Sequence, residues 1–348
     1  MEDPTRSIDD LDAVENVVWV DLRTAEEWAQ GHIPGAVNLP ILDRDMRAEV
    51  GRIYHAEGQD RAKLRAVDLA APGLPGLVRA VADLATRGPV ALYCARGGMR
   101  SCVLGRLLAG LGIPASVLRG GYKAHRQAVL ARLATGIPPL IVLHGYTGAG
   151  KTRLLRSVAD RFPVLDLERL ASHRGSTFGG LGLPEQPTQR QFESLLAARL
   201  RSLGPGPVLV EAESPSVGSI TLPEKLCEAM RGGRRVFLDV PFELRVKNLV
   251  EDYGELALRE PGAIEFSLSY LSSRIPGPEV ESWRDLVRRG ELQRFAEQLL
   301  RRHYDPLYER WRRRAGASFW QTIQAPDLAT AEIELGRLVE SATAGAVP

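Results

Sequence analysis

"PLIVLHGYTGAGKTRLLRSV", residues 139–158, decides how the chain is read. Four apolar residues lead into a glycine-rich turn, and the turn leads into a run with leucines at helical spacing. The short apolar run bounded by Pro and Gly predicts a buried strand, and the run after Thr152 predicts an amphipathic helix. Gly145 to Thr152 fits the pattern G-x-x-x-x-G-K-[ST] without a gap, in the strand, turn and helix context that the pattern needs. In such a loop Gly145, Gly148 and Gly150 let backbone N–H groups curl around a diphosphate. Lys151 then contacts its terminal oxygens and Thr152 can reach Mg²⁺. The bland alternative is a glycine-rich turn that binds nothing.

Downstream, "FPVLDLE" (162–168), "GPVLVEAES" (206–214) and "RRVFLDVP" (234–241) read as further strands separated by helical or loop segments. This alternation predicts an α/β domain with a mainly parallel sheet. A carboxylate near the metal is expected at a neighbouring strand end, where Glu211, Glu213 and Asp239 are the candidates. Glu211 and Glu213 share a face if the strand persists that far, and Thr152 with Glu211 would be the ligands if Mg²⁺ is held. "HRGSTFGG" (173–180) offers His173, Arg174 and Ser176 as a second polar, anion-friendly loop. Residues 283–314 and 328–341 read as helices. Between Arg284 and Arg314 there are ten arginines against five acidic residues, with Tyr304, Tyr308 and Trp311 among them. Arginine interleaved with aromatics suits phosphate contacts and base stacking, which makes Arg301, Arg302, Arg310, Arg312, Arg313 and Arg314 candidates for a nucleic-acid surface. The competing reading is a solvated amphipathic helix.

Upstream, "NVVWVDLRT" (16–24) and "GPVALYCARGG" (88–98) read as buried strands, residues 41–71 as a charged amphipathic helix, "RSCVLGRLLAGLGI" (100–113) as a helix and "ASVLRGGY" (115–122) as another strand. A second α/β domain therefore precedes the first, giving domains over 1–130 and 131–348. Cys94 falls where a strand ends and a helix begins, so backbone N–H groups and the helix dipole converge on it. That setting favours the thiolate, which is the nucleophilic form. Gly97 and Gly98 let the loop curl, while Arg96 and Arg100 add positive charge for an anionic substrate. The alternative is a buried cysteine followed by a tight turn.

A chain of 348 residues with formal net charge +2 has room for two cores and does not announce a nucleic-acid partner by its mean charge. Cys94, Cys102 and Cys227 are too few and too irregularly spaced for a disulfide framework or a four-ligand zinc site. No stretch reaches the roughly eighteen apolar residues of a membrane helix, and "MEDPTRSIDD" has no basic region followed by an apolar one. The expectation is a cytoplasmic protein with no membrane partner.

"WVDLRTAEEWAQGHIPGAVNLP" (19–40) resembles the N-terminal signature of rhodanese-type sulfurtransferases, and Cys94 falls at their persulfide-forming cysteine. Their loop usually runs C-x-x-G-x-R-S. Here five residues separate Cys94 from Arg100, the spacing of the related phosphatases, although Tyr93 stands where those enzymes have His. The rhodanese-like region, the phosphate loop, the H-R-G-S-x-F-G segment, "GGYKAHRQ" (120–127) and "HYDPLY" (303–308) together resemble the tRNA 2-selenouridine synthase family over roughly residues 15–312. The resemblance implies a rhodanese-like domain followed by a P-loop NTPase-like α/β domain with C-terminal helices. It also implies selenium-for-sulfur exchange at the wobble 2-thiouridine of tRNA by way of a geranylated intermediate. Geranyl diphosphate and selenophosphate would be co-substrates, possible Mg²⁺ an accessory, and a selenophosphate-supplying enzyme a possible partner. On this reading the phosphate loop holds the diphosphate, Cys94 accepts or guides the selenium, and the arginine-rich segment tracks tRNA.

Three rival readings stand beside it. One is a P-loop kinase or ATPase with a regulatory rhodanese-like domain. Another is a phosphatase using Cys94, and the third is a tRNA-binding or sulfur-carrier module with neither loop catalytic.

Overall fold

The computed structural model describes residues 4–204, 206–269, 271, 275–314 and 318–344. The chain forms two compact units, one of residues 1–132 with 193–198, the other of residues 133–192 with 199–348.

The first unit is built on a five-stranded parallel sheet. Its strands are β1 (Thr5–Arg6), β2 (Val18–Asp21), β3 (Val37–Asn38), β4 (Val90–Tyr93) and β5 (Ala115–Leu118), in the order β1-β5-β4-β2-β3. β4 is sealed on both faces, as a central parallel strand requires, and Val90, Leu92, Leu104, Leu108 and Val117 share one core with Val20 and Leu22. Residues 41–71, expected as one helix, form two: Arg44–Glu57 and Gln59–Ala70, which break at Gly58. Asp43 caps the first by accepting from the Met46 amide.

The second unit repeats the plan. Its main sheet comprises β6 (Leu140–His144), β7 (Val164–Leu165), β8 (Val208–Glu211), β11 (Arg234–Asp239) and β12 (Gln321–Gln324), in the order β12-β11-β6-β8-β7 and parallel throughout. β9 (Ser216–Val217) and β10 (Ile220–Thr221) form a separate antiparallel pair. The chain leaves β6 for β7 on one side and later returns to β11 on the other. The carboxyl end of β6 is therefore a topological switch point, the usual place for a ligand in an open α/β sheet.

A helical layer follows β11: Phe242–Arg259, Pro261–Ser269, Gly277–Arg288, Leu292–Leu299, a π-helical turn at Leu300–Tyr304, and Asp305–Arg314. The arginine-rich region is thus interrupted at Gly290 and again by the π turn. Its apolar side chains Trp283, Leu286, Val287, Leu292, Phe295 and Leu299 are buried with Ala257, Ile264 and Leu268 in a core of their own. The helix expected at 328–341 extends over Leu328–Ala344. Among the described residues no helix is long and apolar enough to cross a membrane.

Candidate active site

In the first unit the end of β4 delivers Cys94 into the loop that opens helix Met99–Gly110. Gly97 adopts φ +63°, and a Cβ there would lie 2.7 Å from the Gly120 nitrogen and 2.9 Å from the Leu118 carbonyl, so only glycine closes this loop. The Tyr122 and Lys123 amides donate to the Cys94 and Ala95 carbonyls at 2.8 and 3.0 Å, and Cys102 Sγ donates to the Gly97 carbonyl. Cys94 is buried, with its Sγ 3.2 Å from Ser101 Oγ. Burial opposes ionisation of the thiol. Hydrogen bonds from the Ser101 hydroxyl and from the Ser101 and Arg96 amides outweigh it, with help from the Arg100 charge, and hold Cys94 below an ordinary cysteine. Arg100 also donates to Glu27 at 3.1 Å, while Arg96 is exposed. The D-x-R pair lies beneath this loop. Arg23 binds Asp21 through both carboxylate oxygens and stacks 3.8 Å from the centroid of the Tyr122 ring.

In the second unit Gly145–Thr152 joins β6 to helix Lys151–Ser157. The loop is pinned from behind by helix Phe242–Arg259: Arg245 Nε donates to the Thr147 carbonyl at 3.0 Å and Asn248 Nδ2 to the Gly148 carbonyl at 2.8 Å. A Cβ on Gly148 would lie 2.6 Å from the Arg245 carbonyl oxygen. Arg245 is held in turn by Asp305. Lys151 donates to the Gly145 carbonyl at 3.0 Å. Burial pushes its ammonium down, while Glu213, Glu168 and Glu211 favour its charge.

The carboxylates are arranged differently from expectation. β8 stops at Glu211, so Glu211 and Glu213 do not share a strand face. Glu211 is fully buried and accepts from the Glu168 amide at 2.8 Å, while its Oε2 has no hydrogen-bond partner among the described residues. Burial, with Asp166 and Glu168 nearby, raises it well above the usual carboxylate range, so without a cation beside it the neutral form is favoured. The carboxylate that meets Thr152 is Glu168, whose Oε2 accepts from Oγ1 at 2.6 Å. Sequence reasoning missed Glu168; its signal was its place two residues after "PVLD", in the short helix Leu167–Ala171 that follows the edge strand.

Beside the phosphate loop opens a cavity of about 730 Å³. Its polar end holds Lys151, Thr152, Glu168, Arg174, Ser176 and Glu213. Glu213 is pushed up to about 7 by burial and by Glu168, against the pull of Lys151. The H-R-G-S loop is therefore brought to the phosphate loop by Arg174 and Ser176, but His173 is not on the cavity wall. His173 Nδ1 accepts from the Gly175 amide at 3.1 Å, and its ring packs on Gly179, a role in shaping the loop. Asp239 does not line the cavity either. Between the polar end and the other lies Tyr253, its hydroxyl 3.4 Å from Ser176 Oγ and its ring under Arg174, and beyond it the wall is apolar, with Val250, Ala257, Ile264, Leu292 and Phe295.

Of the tRNA candidates, Arg302 is paired with Glu279 at 2.8 Å, Arg301 lies over the Phe242 ring and Arg312 over Phe237 and Phe319. Arg310 and Arg313 are exposed on helix Asp305–Arg314, and the Arg314 side chain lies outside the described residues.

Two family models cover this arrangement. The rhodanese-like domain matches residues 6–128, and the AAA domain of tRNA 2-selenouridine synthase matches residues 138–265. A tRNA 2-selenouridine synthase of Nitrosomonas europaea is 38% identical over 263 residues, covering 73% of this chain and 68% of its own. One of Pseudomonas syringae pv. syringae is 34% identical over 331 residues, covering 85% of this chain and 88% of its own. The chain belongs to the tRNA 2-selenouridine synthase family. It is accordingly a transferase, and the rhodanese-like and P-loop α/β architecture expected from the sequence is confirmed.

Proposed function

We propose that this chain exchanges sulfur for selenium at 2-thiouridine in tRNA in two steps, with the two loops serving one step each. In the first, the thiouridine sulfur attacks C1 of geranyl diphosphate. The S–C1 bond forms, the C1–O bond breaks with its electron pair leaving on diphosphate, and the N3 proton passes to solvent. In the second, water attacks the phosphorus of selenophosphate, the P–Se bond breaks with its electron pair on selenium and phosphate is released, and the selenium adds at C2 as the geranyl thiolate departs and N3 regains a proton. Alkylation makes the sulfur a far better leaving group than a bare thiocarbonyl. Selenium in selenophosphate is already at the selenide level, so its release needs a nucleophile for phosphorus and no electrons.

The observation that carries this reading is the cavity: a phosphate loop opens directly onto an apolar chamber. A diphosphate on Gly145–Thr152 places its tail there, and aliphatic and aromatic walls suit a hydrocarbon chain. Lys151 would stabilise the charge developing on the departing diphosphate. A divalent cation accompanying the diphosphate would neutralise part of that charge, and Thr152 and Glu168 offer it hard oxygen donors. Cys94, with its favoured thiolate and the Arg96 and Arg100 charges, is assigned to the selenophosphate step.

The test is mass spectrometry of nucleosides from 2-thiouridine tRNA after incubation with the protein and geranyl diphosphate alone. The reading predicts a geranylated nucleoside. An unmodified nucleoside, with ATP hydrolysed instead, would support the kinase or ATPase reading.

A further inference from the structure

The direction of the apolar cavity is fixed by two antiparallel helices. Helix Phe242–Arg259 starts at the phosphate loop, where Arg245 and Asn248 hold the Thr147 and Gly148 carbonyls. The helix then runs away from the loop, and Val250, Tyr253, Gly254 and Ala257 recur along it on the cavity wall. Helix Leu292–Leu299 returns in the opposite sense. Its first residue, Leu292, lies 3.6 Å from where a Cβ on Gly254 would be, whereas Asp305, after the π turn, pairs with Arg245 at the phosphate loop.

The end remote from the phosphates is therefore formed by Ala257, Ile264 and Leu292. All three are buried, at 4%, 1% and 9% exposure, so among the described residues this end is backed by packed side chains. The stretch of helix from Asn248 to Ala257 spans about 13 Å at a rise of ~1.5 Å per residue. Extended, a chain of two isoprene units has about seven main-chain bonds and reaches about 9 Å, and one of three units has about eleven and reaches about 14 Å, at ~1.25 Å of advance per bond of ~1.5 Å, with ~2 Å more for the terminal methyl groups.

We infer that Ala257, backed by Ile264 and Leu292, is the floor that sets the length of the prenyl chain accepted beside the phosphate loop. This rests on the proposed use of the loop for a prenyl diphosphate. The floor admits a C10 tail and turns back a C15 tail because a close-packed wall of buried side chains does not yield several ångströms without strain. Ala257 is the sensitive position: a larger side chain there shortens the slot without touching a group that binds phosphate.

The test is equilibrium binding of inorganic diphosphate and of the C5, C10 and C15 prenyl diphosphates to the full-length protein and its variants. The wild type should prefer C10. Ala257→Phe should weaken C10 at least about tenfold, a scale expected for a few misplaced methylenes, while C5 and inorganic diphosphate bind as before. Leu292→Ala should raise C15 binding relative to C10 by a similar factor. Retained inorganic diphosphate binding shows that the variants are folded, and Ala257→Val gives the same reading from a milder change. A C10 preference that survives both Ala257 substitutions overturns the floor alone. A wild type that binds no prenyl diphosphate more tightly than inorganic diphosphate overturns the reading beneath it.

Discussion

Thr152 donates its hydroxyl to Glu168 at 2.6 Å, and this hydrogen bond ties the first turn of the phosphate-loop helix to the first turn of helix Leu167–Ala171, which follows the edge strand β7. Glu168 is in turn placed by its own amide, which donates to Glu211. Burial raises the Glu168 carboxyl, while the Thr152 hydrogen bond and Lys151 oppose this. Glu168→Ala removes the acceptor and a negative charge from beside Lys151. Prenyl transfer should fall by about 10- to 100-fold, the scale seen when supporting partners of a polar site are removed. The rate of Cys94 alkylation should not change, which a single kinetic comparison on each variant checks.

The Cys94 thiol lies below an ordinary cysteine, so its thiolate persists to lower pH. Peptide-resolved iodoacetamide labelling should show Cys94 reacting with a midpoint below that of Cys227, whose thiol burial pushes up. Ser101→Ala deletes a hydrogen bond to the thiolate, so the Cys94 midpoint should rise and its labelling at pH 7 should slow. An unchanged midpoint would remove Ser101 from the account.

Glu213 carries a pH signature of opposite sense. Its folded value, about 7, is above the ordinary 4.5, so the folded state binds more protons than the unfolded state between those limits. Stability from this group is full below pH 4.5 and is lost as pH rises through 7, by up to ~3 kcal/mol. Glu213→Gln should therefore raise Tm at pH 8 and make little difference at pH 4.5. Thermal melts at the two pH values decide it.

The arginine-rich helices present fewer open cations than their composition suggests. Arg284, Arg288, Arg294 and Arg302 all pair with nearby acidic residues. Arg310, Arg312 and Arg313 are exposed on the last helix of that region; Arg312 lies over Phe237 and Phe319, and Arg310 and Arg313 form no ion pair among the described residues. If they bind tRNA phosphates, replacing both with Ala should weaken binding and reduce the slope of log K against log salt by about 0.7–0.9 for each phosphate no longer neutralised. A slope equal to that of the wild type would place the tRNA elsewhere.

What the sequence made legible was local. Gly145–Thr152 and the Cys94 loop are each defined by a few consecutive residues, and the apolar runs leading into them are central strands. The cavity beside the phosphate loop was not legible. Val250 and Ala257 share one helix while Ile264 and Leu292 come from two others, so the wall exists only when three helices pack, and each residue reads in isolation as ordinary core. The arrest of β8 at Glu211 was hidden for a related reason, since alternation along a strand says which face a residue takes and not where the strand ends. Glu168 was overlooked because no motif requires a carboxylate there; the choice between Glu168, Glu211 and Asp239 is made by tertiary packing.

The central claim is that the two loops perform two separable steps on one nucleoside. It is tested most directly by nucleoside mass spectrometry of 2-thiouridine tRNA given geranyl diphosphate and selenophosphate with wild type, Cys94→Ser or Lys151→Ala protein. The account predicts 2-selenouridine with the wild type, accumulation of the geranylated nucleoside with Cys94→Ser, and unmodified 2-thiouridine with Lys151→Ala. Full conversion to 2-selenouridine by either variant would contradict it.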